Sequence, residues 1–161
     1  MSIKLYFVRH GQAGSREEWQ GDDSQRPVTA QGKKRMQRAG AVMRKLDLPL
    51  DVIVSSPLTR AAQTAEILAK AWESAVRVSI DERLGPGFGP KQLKVIMAEH
   101  REARGVMLVG HEPDFSETIS QVTGGGRLVM KKGALAYVEM DEPALLHGTL
   151  VWLIPPKMLE L

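Results

Sequence analysis

Short apolar runs alternate with longer segments of helical periodicity along this chain, and that alternation limits the fold more than any other feature. Four of the runs are typical of buried strands: "IKLYFV" (3–8), "DVIVSS" (51–56), "VRVSI" (76–80) and "GVMLVG" (105–110). Two further runs, within "GALAYVEMD" and "HGTLVWLIPP", are expected to be antiparallel neighbours. Strand–helix alternation of this kind predicts an α/β sandwich around a mostly parallel central sheet.

The segments between the strands carry apolar residues at helical spacing. The first predicted helix begins after Thr29, a plausible N-cap, and the second has Pro57 in its first turn. The apolar stripe of the first helix comprises Met36, Ala39, Val42, Met43 and Leu46, and that of the second Leu58, Ala61, Ala65, Leu68, Ala69 and Trp72. Two more helices are predicted in 91–102 and 113–124.

Length and composition exclude several classes of protein. A chain of 161 residues is predicted to form one domain over 1–161, and the absence of cysteine excludes disulfides and thiolate catalysis. No apolar run approaches the roughly 20 residues that span a bilayer, and "MSIKLYFVRHG" lacks a signal-peptide core, so we expect a cytoplasmic protein without a membrane partner. A net charge of +3 and 5% aromatic residues disfavour nucleic acid as a partner.

Polar residues follow three of the predicted strands at the point where each strand ends. Ligands of open α/β sheets bind beyond the carboxyl ends of the strands, so parallel strands would bring these residues to one edge. The three groups are Arg9-His10-Gly11 after the first strand, Ser55-Ser56-Pro57 with Arg60 after the second, and Gly110-His111-Glu112-Pro113 after the fourth.

Two arginines, two histidines and two helix N-termini at one edge form an anion site. Guanidinium forks match phosphate oxygens, and helix N-termini carry unpaired N–H groups and partial positive charge. Taken singly, Arg60 could be a solvated helix residue and His111 a core histidine. Their coincidence at independently predicted strand ends favours a site for a tetrahedral phosphoryl group.

Five segments of the chain resemble the histidine phosphatase superfamily, and within it the phosphohistidine phosphatases of the SixA type. They are "VRHGQA" (8–13), "RPVTAQG" (26–32), "VSSPLTRAAQTAEIL" (54–68), "LVGHEPDFSE" (108–117) and "KKGALAYVEMD" (131–141). The resemblance implies a three-layer fold in which helices flank both faces of a mostly parallel sheet with an antiparallel strand. It also implies that His10 accepts the phosphoryl group, and that Arg9, Arg60 and His111 complete the phosphate pocket.

The expected reaction proceeds through a covalent phospho-His10 that water then hydrolyses. Gly11 is expected to provide the tight turn that holds His10, while a backbone carbonyl fixes the tautomer of the ring. Gln12 and Glu112 are predicted to contact substrate or to brace the pocket. No metal or other cofactor is expected, because the arginines and histidines supply the positive charge.

A general acid is missing from the position where larger relatives carry one. Those relatives have Glu or Asp in a Leu-x-Glu pattern after the third strand, whereas Pro86 stands two residues after Leu84 here. Asp81 and Glu82 are expected to be solvated. Glu112 and Asp114 flank His111, and we favour helix capping for both. A site without an acid suits cleavage of a P–N bond better than cleavage of an ester.

The sequence therefore predicts a phosphohistidine phosphatase acting on a phosphohistidine-bearing protein. The alternatives are a phosphomonoesterase for a small phosphorylated substrate, a mutase of the same superfamily, and a phosphoprotein-binding module without turnover. Trp19, in the polar loop 14–26, either contacts substrate or packs the loop down, and we favour packing. The basic residues of the first helix either dock an acidic partner or form a solvated face, which we favour; they are Lys33, Lys34, Arg35, Arg38, Arg44 and Lys45.

Overall fold

A mixed sheet forms the centre of the computed structural model, which describes residues 2–73 and 75–160. The strands of the described residues are β1 (Ile3–Arg9), β2 (Val52–Ser55), β3 (Arg77–Ile80), β4 (Gly105–Gly110), β5 (Leu135–Glu142) and β6 (His147–Ile154). The helices are α1 (Ala30–Lys45), α2 (Thr59–Lys70), α3 (Pro90–Glu99), α4 (Asp114–Val122) and α5 (Pro156–Leu159). Three 3₁₀ turns cover Asp23–Gln25, Glu82–Leu84 and Pro143–Leu145.

The strands lie in the order β3-β2-β4-β1-β5-β6. The first four are parallel, and β5 is antiparallel to both β1 and β6. The predicted α/β class, with a mostly parallel sheet and an antiparallel strand, is confirmed. Because β5 runs against β1, its first residue, Leu135, pairs with Val8 near the end of β1. The chain leading into β5 therefore reaches the same edge as the carboxyl ends of β1, β2 and β4.

Alternate residues of each central strand bury their side chains on opposite faces of the sheet. Leu5 and Phe7 pack with residues of α3 and α4, whereas Tyr6 and Val8 pack with residues of α1 and α2. Strands covered on both faces need apolar residues at consecutive positions, which accounts for unbroken runs such as "LYFV" (5–8). Two cores of this kind hold the central strands rigidly, and their ends are the scaffold of the site.

Two details of the predicted helices differ from the structure. Pro57 lies outside α2, which begins at Thr59 because Leu58 is still extended (φ −62°, ψ 137°). Leu46 is 44% exposed, since α1 ends at Lys45 and Leu46 caps it. The predicted N-cap of α1 is confirmed: the amide of Gly32 donates to the hydroxyl of Thr29 at 2.9 Å. No helix among the described residues combines the length and apolar character that crossing a membrane requires.

Candidate active site

Backbone hydrogen bonds align the three strand ends side by side. The amide of His10 donates to the carbonyl of Gly110 at 3.0 Å, which joins the end of β1 to the end of β4. The amide of Ser56 donates to the carbonyl of Val109 at 3.0 Å, which joins the end of β2 to β4. The first residues beyond all three strands therefore leave the sheet together, as the sequence pattern predicts.

The rings of His10 and His111 lie next to each other, with centroids 5.3 Å apart and planes inclined at 51°. Each residue is only 6% exposed. Nδ1 of His10 donates to the carbonyl of Gly11 at 2.8 Å. A carbonyl can only accept a hydrogen bond, so the ring proton is on Nδ1, and Nε2 keeps its lone pair. The expected backbone partner that fixes the tautomer is thus Gly11.

Both imidazoles are neutral at physiological pH. Burial lowers the pKa of His10 to about 3, and the positive charges of Arg60 and Arg9 act in the same direction. Burial, followed by the charges of Arg60 and Arg9, lowers the pKa of His111 to about 4. A neutral ring is what a nucleophilic His10 requires. His111 would gain a proton only when an anion in the site offsets the two guanidinium charges.

The buried hydroxyl of Ser56 lies against the second histidine, with Oγ 2.7 Å from Nε2 of His111. Oγ also accepts a hydrogen bond from the amide of Leu58 at 3.2 Å. The hydroxyl of Ser56 can then donate its proton to Nε2 of His111. Nε2 is the acceptor in that case, so the proton of a neutral His111 is on Nδ1, which can act as a donor. Our sequence interpretation placed Ser56 at the edge but did not assign it this contact.

The two arginines are anchored differently. Nη1 of Arg9 donates to the carbonyl of Met130 at 3.0 Å. Arg60 is 5% exposed, and its Nη1 and Nη2 donate to the carbonyl and the carboxylate of Asp23 at 2.9 and 3.2 Å. Burial lowers the pKa of both guanidinium groups. In the described part of the chain, the buried Nε of each has no acceptor, so these cations are incompletely paired, and a bound anion would compensate them.

These side chains line a cleft of about 550 Å³. Its charged lining comprises five cationic residues (Arg9, Arg16, Arg26, Arg60 and Lys132) and three acidic residues (Asp23, Glu112 and Asp114). With both histidines neutral, the lining has a net charge of about +2, which matches the charge of a phosphoryl dianion. Among the described residues, no cluster of three or more potential metal-ligating side chains is present.

Each acidic residue of the cleft is already engaged by the protein. Asp23 accepts from Nε of Arg26 at 2.9 Å, and this bond is the main cause of its lowered pKa. Glu112 accepts from the amide and the hydroxyl of Ser116 at 2.8 and 2.6 Å, so it caps the start of α4. Asp114 accepts from the amide of Gly87 at 2.9 Å and fixes the loop before α3. For Asp23 these hydrogen bonds favour the ionised carboxylate, which is a poor proton donor. Glu112 and Asp114 already accept hydrogen bonds from backbone amides.

Two carboxylates considered from the sequence lie outside the cleft lining, Asp81 and Glu82. Asp81 instead forms an ion pair with Arg83, with Oδ2 and Nη2 2.6 Å apart. Neither residue is therefore positioned as the acid of this site.

Gly11 and Gln12 line a second cavity, of about 390 Å³, rather than the cleft. The amide of Gly11 donates to Thr64 Oγ1 at 3.0 Å, and Oε1 of Gln12 accepts from Arg35 at 3.4 Å. Gly11 does not have a positive φ, so a tight turn is not the reason for glycine. A Cβ there would lie 2.7 Å from Cγ of Met36, and close packing against α1 is the reason. Substrate contact by Gly11 and Gln12 remains a prediction.

The polar loop 14–26 lines part of the cleft but not through Trp19; its lining residues are Gly14, Ser15, Arg16, Asp23 and Arg26. A bridge between Ala13 and Val28 closes the loop at its base. Nε1 of Trp19 donates to the carbonyl of Asp22 at 2.9 Å, and Trp19 lies outside the cleft lining. Trp19 therefore packs within its own loop, as the sequence analysis favours.

Several cleft residues escaped the sequence analysis, and for one of them a signal existed. Lys132 precedes β5, and the amide of Gly133 donates to the carbonyls of Arg9 and His10, both at 3.1 Å. Pairing β5 with β1 in antiparallel orientation would have located Lys132 at the edge. For the remainder, no local pattern marks the position; they are Ala13, Gly14, Ser15, Arg16, Asp23, Arg26, Pro86 and Gly87.

Comparisons with known proteins agree with this geometry. The family model described as histidine phosphatase superfamily (branch 1) matches residues 5–104. An uncharacterised protein of Picosynechococcus sp. is 35% identical over 139 residues, which cover 83% of this chain and 82% of that protein. The solved structure of the protein histidine phosphatase SixA with tungstate has a TM-score of 0.83 at 21% identity, covering 98% of this chain and 99% of that chain. Alpha-ribazole phosphatase from Shigella flexneri has a TM-score of 0.74 at 16% identity, covering 96% and 97%.

The match over residues 5–104 spans more than half of the chain. It includes Arg9, His10 and Arg60, three of the four residues expected to form the phosphate pocket, and the fourth, His111, lies beyond it. The relative from Picosynechococcus extends the similarity to most of the sequence. The chain therefore belongs to branch 1 of the histidine phosphatase superfamily and is a phosphatase.

Proposed function

We propose that this phosphatase removes the phosphoryl group from phosphohistidine on another protein. The observation that supports the proposal is the engagement of every carboxylate in the cleft. Asp23 is paired with arginines, Glu112 with Ser116, and Asp114 with the amide of Gly87. A substrate that needs no proton from the enzyme is the one best matched to such a site.

In the first step, Nε2 of His10 attacks phosphorus. The new P–Nε2 bond forms as the P–N bond to the substrate imidazole breaks, and the electron pair of that bond stays on the departing ring. The departing imidazole is neutral because its other nitrogen already carries a proton. Charge spreads over the three equatorial oxygens, where Arg9, Arg60 and the Nδ1 proton of His111 donate hydrogen bonds.

In the second step, water attacks the phosphorus of phospho-His10. The P–Nε2 bond breaks, inorganic phosphate is released, and neutral His10 is regenerated. The same three donors stabilise this transition state, since the phosphoryl group transferred is the same. The low pKa of His10, about 3, means that Nε2 is ready for the next cycle without losing a proton.

Hydrolysis of an alkyl phosphate would be slow in this cleft. General acid catalysis is typically worth 10²–10⁴-fold, or about 3–5 kcal/mol, and an alkoxide leaving group depends on it. We therefore place the small-molecule phosphomonoesterase second. A binding module without turnover is the third candidate, and it would form no phosphoenzyme.

The test compares kcat/KM for phosphoimidazole and a phosphohistidine peptide with kcat/KM for a sugar phosphate and p-nitrophenyl phosphate. We expect both P–N substrates to be preferred over the sugar phosphate by at least a hundredfold. Trapping should yield an acid-labile, base-stable phosphoenzyme, and the variant His10→Ala should not form it. The matched control His147→Ala, which changes an exposed histidine, should still form it. A preference for the sugar phosphate would overturn the proposal, and a missing phosphoenzyme with no turnover would favour the binding module.

A further inference from the structure

A second cavity, of about 390 Å³, lies beside the cleft. Arg9 and Lys132 line both spaces, so a substrate chain leaving the cleft on that side passes directly into the second cavity. Of the other lining residues, the site chemistry uses only Gly11, whose carbonyl accepts from Nδ1 of His10. The second cavity is therefore available for the part of the substrate that flanks the reacting phosphohistidine.

The lining of the second cavity carries more positive than negative charge. Its cationic residues are Arg9, Arg35, Lys131 and Lys132, and its single acidic residue is Glu160. Glu160 is paired with Arg35, with Oε1 and Nε 3.2 Å apart. In the described part of the chain, neither lysine forms an ion pair. Both lysines are exposed, and burial and four neighbouring arginines lower the pKa of Lys132.

The shape of the cavity suits a side chain with a short apolar stem and a charged end. Met36, Ala39 and Pro156 line it alongside the charged groups. The pairing of Glu160 with Arg35 shows that a carboxylate fits this lining. Two lysines that form no ion pair within the described residues lie next to this apolar surface and can bind one more carboxylate, and the volume is ample for its side chain.

We infer that this second cavity is a subsite for an aspartate or glutamate side chain of the phosphorylated protein, close in space to its phosphohistidine. The inference rests on the proposed function and specifies its substrate: a protein with an acidic residue beside the phosphorylated one. The inference also gives Arg35 a role that the other basic residues of α1 do not have. Lys34, on the same helix, does not line the cavity and is a solvated charge.

The experiment uses phosphohistidine peptides that differ only in having Asp or Asn at positions one to four residues from the phosphohistidine. At one or more positions we expect the Asp peptide to have a kcat/KM about fivefold above that of its Asn counterpart, and 0.5 M NaCl to reduce the preference. Lys131→Gln and Arg35→Gln should remove the preference, while the matched control Lys34→Gln retains it. Phosphoimidazole, which cannot reach the second cavity, should react equally with all three variants and the wild type.

Equal kcat/KM for Asp and Asn peptides at every position would overturn the inference while leaving the proposed function intact. The same holds if Lys34→Gln removes the preference as fully as Lys131→Gln. Absence of turnover with phosphoimidazole and all peptides would instead reject the proposed function. In that case fluorescence anisotropy with the same labelled peptides still decides on the subsite, since Asp peptides must bind more tightly than Asn peptides, and equal binding rejects it.

Discussion

Lowering the pH from 7.5 to 5.0 should destabilise the fold through its two buried imidazoles. The ordinary pKa of histidine is 6.5, whereas the pKa values of His10 and His111 in the folded protein are about 3 and about 4. Between those values the unfolded chain binds protons that the folded protein does not. Stability is therefore fully present above pH 6.5 and is lost progressively as the pH falls towards the folded values.

The size of the effect follows from the same pKa values. At pH 5.0 an imidazole with a pKa of 6.5 is almost fully protonated, while both rings of the cleft remain largely neutral. Each ring then contributes about 2 kcal/mol to the destabilisation, or about 4 kcal/mol for the pair. A typical domain has a free energy of unfolding of about 5–15 kcal/mol, so this loss is readily measured.

Urea unfolding of the wild type and His10→Asn at pH 7.5 and 5.0 measures the contribution of one ring. Buffers must contain no phosphate or sulfate, because an anion in the cleft would raise the pKa of both imidazoles. We expect His10→Asn to lose about 2 kcal/mol less than the wild type over this range. His147→Asn, at an exposed histidine, should lose as much as the wild type.

The reasoning would be refuted if His10→Asn and the wild type lost the same free energy of unfolding between the two pH values. Groups other than His10 titrate in both proteins, so their contributions cancel in the comparison. An equal loss would mean that the folded protein does not hold His10 neutral, and the proposed nucleophile would need another route to its unprotonated form.

Two further predictions concern the partners of the reacting groups. Ser56→Ala should lower kcat on phosphoimidazole about tenfold at pH 7.5, because a neutral His111 loses the hydrogen bond that sets its tautomer. The difference in kcat between Ser56→Ala and the wild type should become smaller at lower pH, where a protonated His111 donates from both nitrogens. A difference that does not depend on pH would contradict the assigned tautomer of His111. Asp23→Asn should lower the inhibition constant of tungstate about two- to fivefold, since a carboxylate charge is removed beside Arg60. An increased inhibition constant would show that Asp23 serves mainly to position Arg60.

The main part of the site could be predicted from the sequence because its residues directly follow apolar strands. Arg9, His10 and His111 each stand within one residue of a buried run, and strand ends of a parallel sheet share an edge. Arg60 follows from the helix that begins four residues after β2. The local sequence pattern is enough to place each of these four residues at a strand end or in the first turn of a helix. The parallel order of the strands then brings the four residues to the same edge of the sheet.

Other features depend on packing between distant segments and left no local signal. Asp23 reaches Arg60 only because loop 14–26 closes over α2. The need for glycine at position 11 comes from Met36, which is 25 positions away in the printed sequence. Locating Lys132 at the cleft requires the knowledge that β5 pairs with β1, which the order of the elements along the chain does not specify.

The hydrogen bond from the amide of His10 to the carbonyl of Gly110 has an evolutionary consequence. It attaches His10 to the carboxyl ends of the two innermost strands, whose amides should be among the slowest in the protein to exchange with deuterium. Loops 14–26 and 85–89 border the cleft without taking part in that hydrogen bond. Mutation can therefore remodel the rim of the cleft while His10, the proposed phosphoryl acceptor, stays in register.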